Sequence, residues 1–405
     1  MTCMKRCTYR IIQKTMKFFS RFMRFRTPEQ LKGEGAVAHV PALLKKHGIE
    51  RVLLVTDTTL MKLGLTNSLI EGLEKEKITV SVFADVPANP TTTCVLELLE
   101  AYKAMAAQGM IALGGGSPID AAKAAAAQRV RPKKTLPQMA GLLKVRKKIP
   151  FLVAIPTTAG TGSEGTVAAV ITDPRTRHKF AISDPVLIPH VAVLDPSLTR
   201  TLPATITAMT GLDALTHAVE AFIGQGGTNT TNQHALDAVK GIFTHLEKAV
   251  HDGDDLTARM GMLEASYHAG RAFTRAYIGY IHALAHPLSA FYDIPHGLAN
   301  AILMPHVLKT YGKKVHKPLA HLARTGGLVG DETADHVAAE TFIATLFKFN
   351  EAFGFPAGFS AIQDEDIEQM VAQAYAESHP FYPVPVFLDR AQLKALYHAV
   401  QLTEA

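Results

Sequence analysis

The stretch MIALGGGSPIDAAKAAAA, residues 110–127, decides how the first half of the chain folds. Met110 to Leu113 is a short apolar run bounded by glycine, the pattern of a strand buried on both faces, and the alanine-rich segment beyond Ser117 has strong helix propensity. The glycines between them predict a tight strand-to-helix turn. Ser117 suits the N-cap, Pro118 the first helical position and Asp120 the third, an arrangement that aims free backbone N–H groups at the loop and attracts phosphate. The turn is neither the common dinucleotide fingerprint, since Ile119 stands at its last glycine, nor a P-loop, since no Gly-Lys-Ser/Thr follows.

Neighbouring stretches extend this unit. RVLLVTD (51–57) reads as another buried strand, and Asp57 at its carboxyl end is placed to accept hydrogen bonds from an adenosine ribose and to repel a 2′-phosphate, which favours NAD over NADP. FLVAIPTTAGTGSEG (151–165) supplies a strand over Phe151 to Ile155, then Thr157 and Thr158, whose backbone and hydroxyl donors can approach a ligand. Further strand patterns lie at Thr79 to Phe83 and Val191 to Leu194, beside Val52 to Val55 of the first, with helical stretches such as Cys94 to Gln108 between them. That alternation predicts a doubly wound parallel sheet in an α/β domain. Beyond DPSLTRTLP (195–203) the strand patterns stop. Long amphipathic stretches follow at His234 to Val250, Leu256 to Phe273, Ala334 to Phe349 and Asp364 to Ala376, so the second half reads as all-α. The expected division is an extension over residues 1–29, a dinucleotide-binding domain over 30–199 and a helical metal-binding domain over 200–405.

The second half carries the chemistry. In TGLDALTHAVEAF (210–222), Asp213 and His217 stand four apart in an apolar helical pattern, one turn apart on one face. GYIHALAHPLSAFYDIPHG (279–297) repeats the spacing with His282 and His286, after which Pro287 is expected to open the next segment and Pro295-His296-Gly297 to begin another helix. One carboxylate and four imidazoles, with no cysteine nearby, suit zinc, ferrous iron or a similar first-row ion rather than a thiolate site or a hard calcium cage. Spacing alone leaves all five as candidates.

Four strings resemble the iron-containing (group III) alcohol dehydrogenase family in order and separation: GGGSPIDAAKA, PTTAGTGSE, DPSLTRTLPATITAMTGLDALTHAVEAF and YIHALAHPLSAFYDIPHGLANAILMPHV. The resemblance covers roughly residues 30–400 and implies a dehydroquinate synthase-like fold. It implies Asp213, His217, His282 and His296 as metal ligands, with Fe2+ favoured by the family and Zn2+ by affinity order. It makes His286 the catalytic histidine near the nicotinamide. Nucleotide contacts are implied for Asp57, for Asn89 and Thr91 in PANPTT, for Gly115, Gly116, Ser117 and Asp120, for Thr157, Thr158 and Leu198, and for Lys179 in TRHKFAI. Phe273 would line the substrate pocket, and Arg275 with Tyr277 departs from the small or amide residues of several members. The implied activity is hydride transfer between a metal-bound small alcohol or aldehyde and nicotinamide C4, with His286 in the proton relay. Alternatives are a dehydroquinate synthase-like or glycerol dehydrogenase-like enzyme, the former needing a dense set of phosphate-binding cations beyond Lys179 and Arg275, and an NADPH-preferring aldehyde reductase.

Residues 1–26 hold eight Lys or Arg and no acid, with Ile12, Met16, Phe19 and Met23 at helical spacing. Setting those eight charges aside from the total of +6 leaves −2, so the body of the chain offers no electrostatic footprint for nucleic acid. The basic segment is expected to pack on the enzyme as an extra helix, ahead of membrane contact or an organellar address. Three cysteines give no disulfide framework, and a cytoplasmic homodimer is the expectation.

Overall fold

The computed structural model describes residues 3–20, 22–175 and 178–402. Of the basic segment, Met1, Thr2 and Arg21 lie outside the described residues. The chain opens with helix α1 (Cys3–Ser20) and strand β1 (Glu29–Lys32). Helix α2 (Val40–Lys46), strand β2 (Arg51–Val55), helices α3 (Thr58–Lys62) and α4 (Asn67–Lys75), strand β3 (Thr79–Phe83) and helix α5 (Thr92–Ala104) follow. Strand β4 (Gly109–Gly114) leads into helix α6 (Gly116–Val130), and then come β5 (Gly141–Leu142), β6 (Phe151–Pro156), β7 (Ala168–Asp173), β8 (His178–Ser183) and β9 (Val191–Leu194). Helices α7 (Ala204–Ile223), α8 (Asn229–His251), α9 (Leu256–Ala276), α10 (Tyr280–Tyr292) and α11 (His296–Tyr311) come next. The chain finishes with α12 (His316–Thr325), α13 (Asp335–Ala352), α14 (Asp364–Ser378) and α15 (Arg390–Ala399).

Two compact units result. One comprises residues 24–203 with 251–270, the other residues 1–23, 204–250 and 271–405. The first is built on a six-stranded parallel sheet of order β1-β9-β6-β4-β2-β3. Strands β2, β4, β6 and β9 are buried almost throughout, as their unbroken Val, Ile, Leu and Ala runs require of a sheet covered on both faces. One apolar cluster packs α5 and α6 on one face, with Leu98, Ala122 and Leu152 among its members, and another packs α2 and α4 on the other, with Leu44, Leu69 and Val153. The strand order reverses between β2 and β4, and the turns leaving their carboxyl ends lie at such a switch point, where open α/β sheets bind ligands.

Four strands had no strong sequence signal. β1 is a four-residue edge strand of mostly polar residues paired with β9, β5 has two residues, and the antiparallel hairpin β7–β8 forms a separate small sheet with β5. The start of α6 also differs from the expectation. Gly115, extended at φ −69° and ψ −161°, takes the N-cap position, so the helix begins before Ser117. The Ser117 hydroxyl instead donates to the Ala88 carbonyl, and Asp120 accepts from the Ser163 hydroxyl at 2.5 Å and the Val170 N–H at 2.9 Å. Once Gly115 can adopt the cap backbone, both side chains are released for contacts across the unit.

The second unit is helical. Within it α10 packs on α11 and α14, α11 on α7, and α12 on α13. Pro287 does not open a new segment; it lies inside α10, where the ring removes one backbone donor without ending the helix.

Candidate metal centre and nucleotide-binding turns

The metal-ligand types gather in the helical unit because α11 packs against both α7 and α10. Two glycines permit the approach. A Cβ at Gly297 would stand 2.5 Å from the Met209 carbonyl oxygen, so α11 meets α7 closely only with glycine after His296. A Cβ at Gly279 would stand 2.7 Å from Glu220 Oε1.

Asp213, His282 and His296 each offer one ligand atom, and these atoms lie within 4.8 Å of one another. Asp213 Oδ1 is 3.7 Å from His282 Nε2 and 3.8 Å from His296 Nε2. His217 stacks on His282 with ring centroids 4.4 Å apart, and its other face carries Phe273 at 4.3 Å. His286 stacks on His296 at 5.2 Å. All five sequence candidates therefore neighbour one another, but the group of ligand atoms among the described residues is that of Asp213, His282 and His296, with His217 and His286 joined to it by ring stacking. Asp213, His217 and His282 are buried, while His286 and His296 keep partial exposure.

The decisive detail is His282. Its Nδ1 bonds Glu220 Oε2 at 2.7 Å, whereas its Nε2 is buried and has no hydrogen-bond partner among the described residues. Opposite a carboxylate, Nδ1 is the donor, which leaves a lone pair on Nε2 facing the cluster. A buried nitrogen lone pair with no donor is costly, and a cation beside Asp213 and His296 satisfies it.

Three supporting residues escaped the sequence reading. Glu220 accepts from the Gly279 N–H at 2.8 Å, the Ile281 N–H at 2.7 Å and His282, so one carboxylate both caps α10 and orients its histidine. A signal was available, since Glu220 stands seven residues after Asp213 on the same apolar helix, where a buried acid requires partners. Asn300, four residues after His296 and fully buried, donates to Asp213 Oδ1 at 2.7 Å. Glu377 bonds His286 Nδ1 at 2.8 Å and accepts from the Tyr382 hydroxyl at 2.6 Å. Burial works to raise the Glu377 carboxyl, but His286 and the Tyr382 hydroxyl outweigh it and hold it below the usual carboxylate value. Burial lowers His282, but the hydrogen bond to Glu220 and the Asp213 charge reverse this and raise the ring, so the carboxylates draw positive charge, a proton or a metal cation, to Nε2.

In the α/β unit the expected nucleotide contacts cluster at strand ends. Asp57 follows β2 and caps α3, its Oδ1 accepting from the Thr59 and Leu60 N–H groups at 2.9 and 3.0 Å. Gly115 and Gly116 face Thr158 and Thr161, and a Cβ at Gly116 would meet Thr161 Cγ2 at 2.8 Å. Thr157 donates its N–H to the Gly114 carbonyl, which fixes the β6 turn to the β4 turn. Lys179 Nζ donates to Asn89 Oδ1 at 3.2 Å, and Thr91 caps α5 beside the Thr172 backbone. Asn89, Thr91, Ser117 and Lys179 thus belong to one neighbourhood. Leu198 is buried in the apolar cluster with Val37 and Val193, and Asp120 is committed to internal bonds.

The residues that depart from the family pattern also have assigned places. Arg275 donates to the Ser20 carbonyl at the end of α1, which removes one of the two cations a dehydroquinate synthase-like reading would use. Tyr277 closes α9 in left-handed backbone at φ 67°.

Residues 28–196 match the family described as iron-containing alcohol dehydrogenase, and residues 207–401 match the C-terminal part of the Fe-containing alcohol dehydrogenase family. The chain is 35% identical over 355 residues to the NAD-dependent methanol dehydrogenase of Bacillus methanolicus, covering 87% of this chain and 93% of that protein. It is 34% identical over 345 residues to lactaldehyde reductase of Escherichia coli K12, covering 84% and 90%. The structure of an alcohol dehydrogenase from Oenococcus oeni superposes with a TM-score of 0.89 at 31% identity, covering 93% of this chain and 99% of that one. With both halves matched in order, and the acid and histidines of the second half gathered at one point, the chain belongs to the iron-containing alcohol dehydrogenase family.

Proposed function

We propose that the protein interconverts a small alcohol and its aldehyde with NAD(H), using a divalent metal held by Asp213, His217, His282 and His296, with residues 30–199 binding the nucleotide and residues 200–405 the metal. The observation that carries this reading is the buried, unpartnered Nε2 of His282 beside the Asp213 carboxylate. The donor set, one carboxylate and three imidazoles, fits ferrous iron or zinc. When bound, such an ion supplies a Lewis acid toward the oxygen of an alcohol or carbonyl, and NAD supplies the hydride acceptor at C4.

The protein's own groups do the rest by position. Glu220 locks the His282 ring, and Asn300 holds the Asp213 oxygen that faces it. Phe273 lies flat on His217 and gives the substrate an apolar wall. With Nδ1 donating to Glu377, His286 keeps its lone pair on Nε2, the atom that takes the alcohol proton during oxidation and returns it during reduction. Asp57 spends Oδ1 on its helix cap, which leaves Oδ2 for a ribose hydroxyl and a negative charge against a 2′-phosphate. The joined β4 and β6 turns offer backbone N–H and threonine hydroxyl donors to the pyrophosphate, and Asn89, Thr91 and Lys179 are further nucleotide contacts, Lys179 toward the ribose.

The test is turnover of primary, secondary and vicinal-diol alcohols with NAD and with NADP after loading with ferrous iron or zinc. We expect metal-dependent, NAD-preferring oxidation of a primary alcohol. Equal turnover by chelated and loaded protein overturns the metal assignment, and a preference for NADP overturns the role of Asp57.

A further inference from the structure

Among the described residues, helix α1 is held to the helical unit by ring contacts and hydrogen bonds that come from one face. The Tyr9 ring lies 5.6 Å from His379, and the Arg10 guanidinium stacks over Phe387 at 4.1 Å. Gln13 donates to the Pro380 and Tyr382 carbonyls, both at 2.8 Å, and Lys17 to the Gln225 carbonyl at 3.0 Å. At 100° per residue these four occupy one side of the helix. The opposite side is apolar and in water. Met4 is 81% exposed, Ile11 65%, Phe18 53% and Phe19 60%, and Phe22 in the turn beyond is 72% exposed. The three phenylalanines touch, with ring centroids 5.7 Å apart for Phe18 and Phe19 and 5.3 Å for Phe18 and Phe22. Exposed Thr8 and Thr15 fill the stripe, and exposed Lys5 and Lys14 flank it on either side.

From this geometry we infer that the outward face of α1 is a membrane-docking surface, and that its partner is an anionic lipid bilayer. Two independent signals are present on one straight element, as stable interfacial binding requires. The first is the apolar stripe, which a bilayer can accept at the level of the acyl boundary. The second is charge: residues 1–26 carry eight cations and no anion, of which exposed Lys5 and Lys14 flank the stripe while Arg10, Lys17 and Arg26 are turned to protein carbonyls, and the first acid in the chain is Glu29. A nucleic acid would use the cations but leave the phenylalanines in water. Anionic lipid uses both. None of the described helices is long and apolar enough to cross a membrane, so the helix lies along the surface while its inner face stays on the enzyme.

The experiment is co-sedimentation of the full chain with vesicles of phosphatidylcholine alone and of phosphatidylcholine mixed with phosphatidylserine. Binding to the mixed vesicles that weakens as salt is raised, with little to the neutral ones, is the expected result. The triple variant Phe18→Ser, Phe19→Ser, Phe22→Ser should lose at least tenfold in partitioning, about tenfold being expected for each ring fully transferred. Lys14→Glu should lose about fivefold or more for the surface charge removed and reversed. Both variants replace exposed side chains, so circular dichroism and alcohol turnover in solution should match the parent. Failure of the parent to sediment with mixed vesicles overturns the inference, as does undiminished binding by the triple variant. An oligomer on gel filtration that the triple variant dissociates also overturns it, because a second copy of the chain then covers this face.

Discussion

The helical cluster and the glycine turn handle charge in opposite ways. Around Asp213 and His282 the titratable side chains point at a common centre, Glu220 and Glu377 take up the outer nitrogens of His282 and His286, and the Asn300 amide lies against Asp213 Oδ1 and His296 Nε2. Around Gly115 the charged side chains are spent on hydroxyl and backbone groups of their own unit. Lys123 Nζ donates to the Ser163 and Thr166 hydroxyls, both at 2.9 Å, and to the Thr166 and Ala168 carbonyls, while Asp120 bonds Ser163 and Val170. What this region turns outward is backbone and hydroxyl. A metal centre needs side chains with unspent lone pairs, whereas a pyrophosphate is held by N–H groups, so charged residues in the second region serve the scaffold.

The largest expected effect follows from removing a group of the first kind. Asp213→Ala or His282→Ala should abolish metal retention and lower kcat/KM at least about 1,000-fold, the worth of roughly 4 kcal/mol of Lewis-acid stabilisation, with the helical signal retained. Metal content by atomic absorption separates this from misfolding, and unchanged turnover would end the ligand assignment. One layer out, Glu220→Gln should cost about 10- to 100-fold in metal affinity, since the amide can still accept from one N–H but no longer holds the ring as a carboxylate does. If it matches the parent in metal affinity, the two-layer description fails.

The second region is sharpened by Asp57, its exception, a carboxylate assigned to ligand. Asp57→Asn keeps a good helix cap and removes only the charge, so the NADP to NAD ratio of kcat/KM should rise about tenfold with little change in Tm. Asp57→Gly should shift the ratio in the same direction. A fall in Tm without a change in preference would make Asp57 a capping residue alone.

How much of this could be read from sequence follows the same divide. Buried parallel strands write themselves as unbroken apolar runs, and β9 occupies the residues expected of it, as does the alternating edge strand β3. Histidines four apart on apolar helices also announce a cluster. The start of α6 was not legible, because a glycine cap depends on backbone dihedrals that leave no side-chain mark. Nor was the choice of partner for His282 and His286, since Glu220 lies 62 residues from one and Glu377 lies 91 from the other, and only helix packing joins them. The exposed side of α1 was equally hidden. Helical spacing showed that it had two faces without showing that the Gln13 face would be taken by the carbonyls of Pro380 and Tyr382.

The smallest effect tests whether charge in the α/β unit belongs to the scaffold. Glu164 is buried near Lys123, and its Oε1 makes no hydrogen bond among the described residues. Burial, opposed in part by its own backbone and by Lys123, raises its carboxyl from 4.5 to about 7. A folded-state pKa above the unfolded one means that the native chain binds the extra proton. The stability this contributes is complete below about pH 4.5 and is lost as pH rises through about 7. Glu164→Gln cannot titrate, so its unfolding free energy should decline less than the parent's across that window. The difference should be about 1 kcal/mol or more. Urea melts at both ends of the window measure it. The affinity for NAD should be unchanged; if it falls while the melts coincide, Glu164 faces the nucleotide and the contrast between the two regions does not hold.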